Sequence, residues 1–126
     1  MKKNLLKKIA KTSFPVLLFI TLASFIYAKI ETKTVTGEIL DMKCYMTSGA
    51  HGENHKDCAA MCIKGGAPMG ILVDDSKVYL LIEGKNDSGA FEEAKKHAGE
   101  TVTVTGTLSE KNGVQALIVT EVKPKK

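Results

Sequence analysis

The chain has no tryptophan and no arginine, so all of its fixed positive charge is lysine. Without arginine it lacks the planar guanidinium fork that grips phosphate and carboxylate groups. Its lysines are spread along the sequence instead of forming a basic stripe, and this disfavours nucleic-acid binding. The formal charge of +4 is also concentrated at the start. Lys2, Lys3, Lys7, Lys8 and Lys11 stand in a leader with no acid, whereas residues 29–126 carry 13 Lys against 14 Asp plus Glu, a net of −1. Catalytic signatures are missing as well: there is no G-x-S-x-G, no H-E-x-x-H, no phosphate loop and no haem-attaching C-x-x-C-H. The paired carboxylates Asp74-Asp75 and Glu92-Glu93 fall in a turn and on a short helix, where solvation explains them. No enzyme class has support in the sequence.

The first 28 residues read as a secretory signal or an N-terminal anchor. Five lysines precede an apolar stretch from Phe14 to Ile26, too short for a comfortable membrane span of about 20 residues. Cleavage after Ala23 fits a small-residue site better than cleavage after Ala28, which would put Ile26 at the −3 position. If the leader is not cleaved, it is the expected membrane contact. Residues 29–126 then form one small domain, near the lower size limit for an unaided core, where a metal or disulfide would add useful stability.

Within that domain the pattern is mostly β. Thr34 to Met42 reads as a strand rich in β-branched residues, with Gly37 as a bulge or bend. Ile71–Val73 and Val78–Glu83 form a hairpin through the turn at Asp74-Asp75-Ser76-Lys77. Ser88 is a candidate N-cap for a helix that places Phe91, Ala94 and Ala98 on one face and stops at Gly99. Thr101–Leu108 and Val114–Val122 form a second hairpin around Asn112-Gly113. The order strand, long loop, hairpin, helix, hairpin predicts an all-β domain with one or two short helices, a five-stranded OB-fold barrel. An open α+β sheet with the same strand pairs is the alternative.

The long loop, Lys43 to Pro68, holds all three cysteines and two of the three histidines: Cys44, His51, His55, Cys58 and Cys62. Asn54 is a candidate cap for a short helix ended by Gly65-Gly66 and Pro68. On that helix His55, Cys58 and Cys62 stand at i, i+3 and i+7, so they project from one face. Cys44, at the end of the first strand, completes a Cys₃His set suited to zinc. Copper, as Cu(I), accepts the same thiolates, with Met46, Met61 or Met69 as soft auxiliaries. His51 would extend the stripe, although Gly49 and Gly52 weaken helix there. Cys58, in the first turn of the helix, is the candidate reactive thiol.

The competing reading of the cysteines is a disulfide that pins the loop. Cys44 with Cys58 or Cys62 would close roughly 15 to 19 residues and contribute about 3 kcal/mol. His97, near a helix C-terminus, reads as a dipole partner, Met42 as core, and Tyr45 as a packing residue or a hydrogen-bond donor.

The runs G-E-I-L-D-M-K-C-Y (37–45) and H-K-D-C-A-A-M-C-I-K-G-G-A-P-M-G (55–70) resemble a group of small exported bacterial OB-fold proteins. In those proteins a strand ending D-x-x-C-Y precedes an H-x-x-C-A-x-x-C-I-x-G-G-x-P segment. The resemblance covers about a third of residues 29–126. It implies the OB fold and makes Cys44, His55, Cys58 and Cys62 one functional unit, but it supplies no activity. The Cys58/Cys62 pair is also similar to the C-x-x-x-C of copper-delivery proteins of cytochrome oxidase assembly. Those have a thioredoxin-like fold with no counterpart here, so that likeness is one of ligands only. The expected function is a periplasmic or secreted metal-binding module, an accessory, carrier or sensor that acts with an exported redox complex or another protein partner. The alternatives are a disulfide-stapled binding module for a peptide, glycan or protein, and a thiol redox protein.

Overall fold

The computed structural model describes residues 30–125, and the expected leader lies outside them. Five strands form one sheet: β1 (Thr32–Asp41), β2 (Met69–Val73), β3 (Lys77–Ile82), β4 (Thr101–Lys111) and β5 (Val114–Pro124). Three short helices accompany them: α1 (Met42–Ser48), α2 (Lys56–Lys64) and α3 (Gly89–Lys96). The strands join in the order β1-β2-β3-β5-β4, with β4 paired back to β1, so the sheet closes on itself. All neighbours are antiparallel except β3 and β5, which run parallel. Closure satisfies the backbone edges that a small sheet would otherwise expose. Among the described residues no helix is long and apolar enough to cross a membrane.

Period-2 alternation produces the core. Val35 and Ile39 from β1, Ile71 from β2, Tyr79 and Leu81 from β3, Val102 and Val104 from β4, and Leu117 and Val119 from β5 all point inward. Burying a side chain such as Ile39 or Leu117 contributes about 1.5–3 kcal/mol. Ala94 closes the core from α3, with Phe91 packed against it. The helix ends at Lys96, short of the predicted Gly99 stop, and Ala98 reaches the core from beyond it through a bridge to Ile39. Ala59 and Ile63 of α2 join the same cluster, so the helix of the Cys/His segment is anchored by its apolar face.

Both hairpins turn where the sequence predicts. Asp74, Asp75 and Asn112 adopt positive φ, as does Gly113, the backbone twist that tight hairpin turns require. The irregularity predicted near Gly37 takes another form. The register break lies in the β4–β5 pair, between Thr105 and Gly106. Gly37 instead marks the passage of β1 from one partner to the next: Thr32 to Glu38 pair with β4, and Glu38 to Asp41 pair with β2. A Cβ on Gly37 would collide with the Leu72 carbonyl oxygen. Only glycine lets β2 approach there.

Candidate metal centre

The segment between β1 and β2 begins with a helix the sequence reading missed. β1 ends at Asp41, one residue earlier than expected, and Asp41 N-caps α1. Its Oδ1 accepts the Cys44 backbone N–H at 2.8 Å, and Gly49 ends the helix in the left-handed conformation. Cys44 therefore sits in the first turn of a helix and not on the strand. The Met42 N–H donates to the Pro68 carbonyl at 2.9 Å, tying the start of the segment to its end.

The second helix begins differently from the expected Asn54 cap. Glu53–His55 form a 3₁₀ turn that leads into α2, and the His55 N–H donates to the Gly52 carbonyl. His55 occupies the cap position of α2, where it makes no side-chain cap bond. Its imidazole turns back to β1, with Nε2 2.9 Å from Asp41 Oδ2. The helix ends as predicted: the Gly65, Gly66 and Ala67 N–H groups donate to the Met61, Ile63 and Cys62 carbonyls.

These elements bring the soft ligands together. The ligand atoms of Cys44, His55 and Cys58 lie within 4.8 Å of one another, as do those of Asp41, Cys44 and Cys62. Cys44 belongs to both groups, and its sulfur is 3.9 Å from that of Cys62. The three cysteines are unbonded and half-buried, so the disulfide of the competing reading, from Cys44 to Cys58 or Cys62, is not formed. Cys/His groups this close could hold a metal ion.

His51 stands in neither group. Its Nδ1 lies 3.3 Å from Glu38 Oε2, and its ring meets Tyr45 edge-on with centroids 6.0 Å apart. Tyr45 thus acts as a packing residue. The methionines divide by burial. Met69 is core, and the Met42 sulfur packs over Gly70, whereas Met46 is 72% exposed and Met61 70%. His97 pairs with Glu100 at 2.7 Å and Glu93 at 3.3 Å.

Two carboxylates outside the soft-ligand set organise the segment, and sequence reasoning missed both. Asp41 is 1% exposed and spends both oxygens on it, one on Cys44 and one on His55. Burial pushes its pKa up, but the Cys44 N–H and His55 outweigh that and hold the carboxyl below its ordinary value. If His55 donates from Nε2, its lone pair sits on Nδ1, the arrangement that carboxylate–histidine pairs impose on metal ligands. Glu38 receives the Gly52 N–H at 2.6 Å and faces His51, fixing the approach to α2. The available signal was for Asp41 alone, as a favoured cap residue where the strand stops; Glu38, inside β1, offered none.

Cys44 sits where its surroundings oppose ionisation. Burial, then the Cys62 thiol, then the negative charge of Asp41 push the Cys44 thiol up to about 12. Near neutral pH this sulfur carries its proton, and a bound cation would have to displace it. No family model matches the chain, and a search of curated proteins finds no match.

Proposed function

We propose that the chain is an exported OB-fold module that binds one zinc or Cu(I) ion through Cys44, His55, Cys58 and Cys62. The observation that carries this reading is the convergence of Cys44, His55 and Cys58 within 4.8 Å, with Cys62 in contact with Cys44. Three thiolates and one imidazole are a tetrahedral zinc set and a set that Cu(I) accepts. Asp41 supports it from behind by orienting His55 and capping the turn that presents Cys44. The order of the strands and the parallel β3–β5 pair agree with an OB barrel. In that fold the loop after the first strand borders the binding face.

The half-buried sulfurs favour an ion within reach of a partner over a sealed structural site. A carrier, sensor or accessory role beside an exported redox complex fits that exposure. His51 belongs to the surroundings of the site and orders the approach to α2. When bound, the ion supplies a link between the two helices and draws protons off the thiols.

The test is metal content and titration of residues 29–126 purified without reductant or chelator. The expected outcome is one equivalent of metal, release of protons on binding, and loss of both metal and stability in Cys62→Ser. Wild-type protein that holds no more metal than a variant lacking the three cysteines, His51 and His55 would sink the reading. The 3.9 Å contact of Cys44 with Cys62 favours a second reading, a thiol redox protein. That reading predicts no metal dependence, and a thiol that reacts faster than a free model thiol.

A further inference from the structure

Cys44 is shared by the two ligand groups, and its sulfur lies 3.9 Å from that of Cys62 on the other helix. We propose that Cys44 and Cys62 form a redox switch on the metal site: oxidation joins their sulfurs, leaves only His55 and Cys58 as ligands, and expels the ion. The proposal rests on the metal-binding reading of the same residues and adds how the ion is let go.

The pairing follows from geometry. The two sulfurs are already in van der Waals contact at 3.9 Å and need to close by roughly 2 Å to reach a disulfide bond length. They stand on separate short helices, and α1 buries none of its residues, so it can shift without opening the core. Cys58 is the thiol left over. It shares a ligand group with Cys44 but none with Cys62. Bridging to Cys62 would span one turn of α2, about 6 Å between Cα atoms, near the upper end of the usual range.

The consequence for the ion also follows. Losing Cys44 and Cys62 halves a four-ligand set, and one thiolate with one imidazole falls short of the closed coordination that zinc takes. The oxidant is a small-molecule disulfide such as glutathione disulfide. A protein thiolate attacks one of its sulfurs, its S–S bond breaks, and the first glutathione leaves. The second protein sulfur then resolves the mixed disulfide and releases the other glutathione. The two protein sulfurs lose two electrons, and the glutathione sulfurs gain them together with two protons.

The test loads the reduced protein with one equivalent of zinc, adds glutathione disulfide, and follows free zinc with a chromophoric indicator alongside intact mass. The expected result is loss of the zinc, one ion per disulfide, and rebinding after reduction. Cyanogen bromide cuts after Met42, Met46, Met61 and Met69, which separates Cys44 (43–46), Cys58 (47–61) and Cys62 (62–69). Fragment 43–46 should be joined to 62–69, with the thiol of 47–61 free. In metal-free protein, Cys58→Ser should become two hydrogens lighter, whereas Cys62→Ser should take up glutathione. A bridge that includes Cys58, or zinc kept by the bridged protein, overturns the switch. Failure of the reduced protein to bind zinc overturns the metal reading instead, and the fragment map of metal-free protein still decides the pairing.

Discussion

Replacing Asp41 with asparagine separates its two jobs. The amide introduced by Asp41→Asn would keep a side-chain oxygen for the Cys44 N–H, and asparagine caps helices as well as aspartate does, so α1 should survive. The other oxygen becomes an NH₂ facing His55 Nε2, which in the wild type lies 2.9 Å from the carboxylate. Two donors cannot share that contact, so the imidazole moves its proton to Nδ1 and loses the lone pair it would offer a metal. Losing such a carboxylate partner typically weakens metal binding about 10- to 100-fold, or about 1.4–2.7 kcal/mol. Asp41→Ala does more damage. It removes the cap, about 1 kcal/mol, and leaves the His55 donor unpaired, about 1–3 kcal/mol. Competition titration with a zinc indicator, beside urea unfolding of the metal-free protein, measures the two effects independently. Asp41→Asn should bind zinc poorly and unfold near wild type, while Asp41→Ala should fail in both. Wild-type zinc affinity in Asp41→Asn would refute the claim that Asp41 sets the ligand form of His55.

Gly37→Ala should lower unfolding stability by about 1–3 kcal/mol, because the new Cβ meets the Leu72 carbonyl; unchanged urea unfolding would show that β1 can bend without glycine there. The pKa of His97 is raised first by Glu100 and then by Glu93. Its protonated form therefore stabilises the fold below the unfolded value of 6.5, and that gain is lost as pH rises through the folded value. Thermal melts of His97→Gln should accordingly lose part of the decline that the wild type shows as pH rises above 6.5. In the metal-free protein Cys44 acts on the alkaline side, since its thiol lies at about 12 against an ordinary 9.0. Its stabilising effect is complete below 9.0 and disappears as pH rises towards 12. Cys44→Ala should thus lose less stability than wild type over that window in metal-free melts.

Much of the scaffold was legible because its signals are local. Thr and Val alternate along β4, Asn112-Gly113 turns the second hairpin, and Ala94 reaches the core from α3 as its spacing predicts, although Ala98 does so from a bridge to Ile39 beyond the helix end. Even there Ser88 does not cap with its side chain, and Asp87 accepts the Gly89 N–H instead. The Cys/His stripe was legible only in part: Cys58 and Cys62 lie on α2, but His55 falls in the 3₁₀ turn before it, and Cys58 and Cys62 enter different ligand groups that meet at Cys44. α1 was not legible, because M-K-C-Y-M-T-S buries nothing and so carries no apolar period. It exists through its two ends, the Asp41 cap and the Gly49 stop. Asp41 and Glu38 escaped notice because their importance depends on what folds back onto them 14 residues later, a long-range fact that no spacing rule encodes.

The short stretch of β1 from Glu38 to Asp41 bears on how this site could be moved or copied. Glu38 holds residues 51 and 52, Asp41 holds residues 44 and 55, and Ile39 between them is fully buried with its backbone bonded to Gly99 and Glu100. The transplantable unit is therefore longer than the loop. A graft of residues 43–68 onto another closed sheet would carry the cysteines and leave their template behind, whereas a graft of 38–69 would carry both, provided the host strand is open to a neighbour where Gly37 now lies.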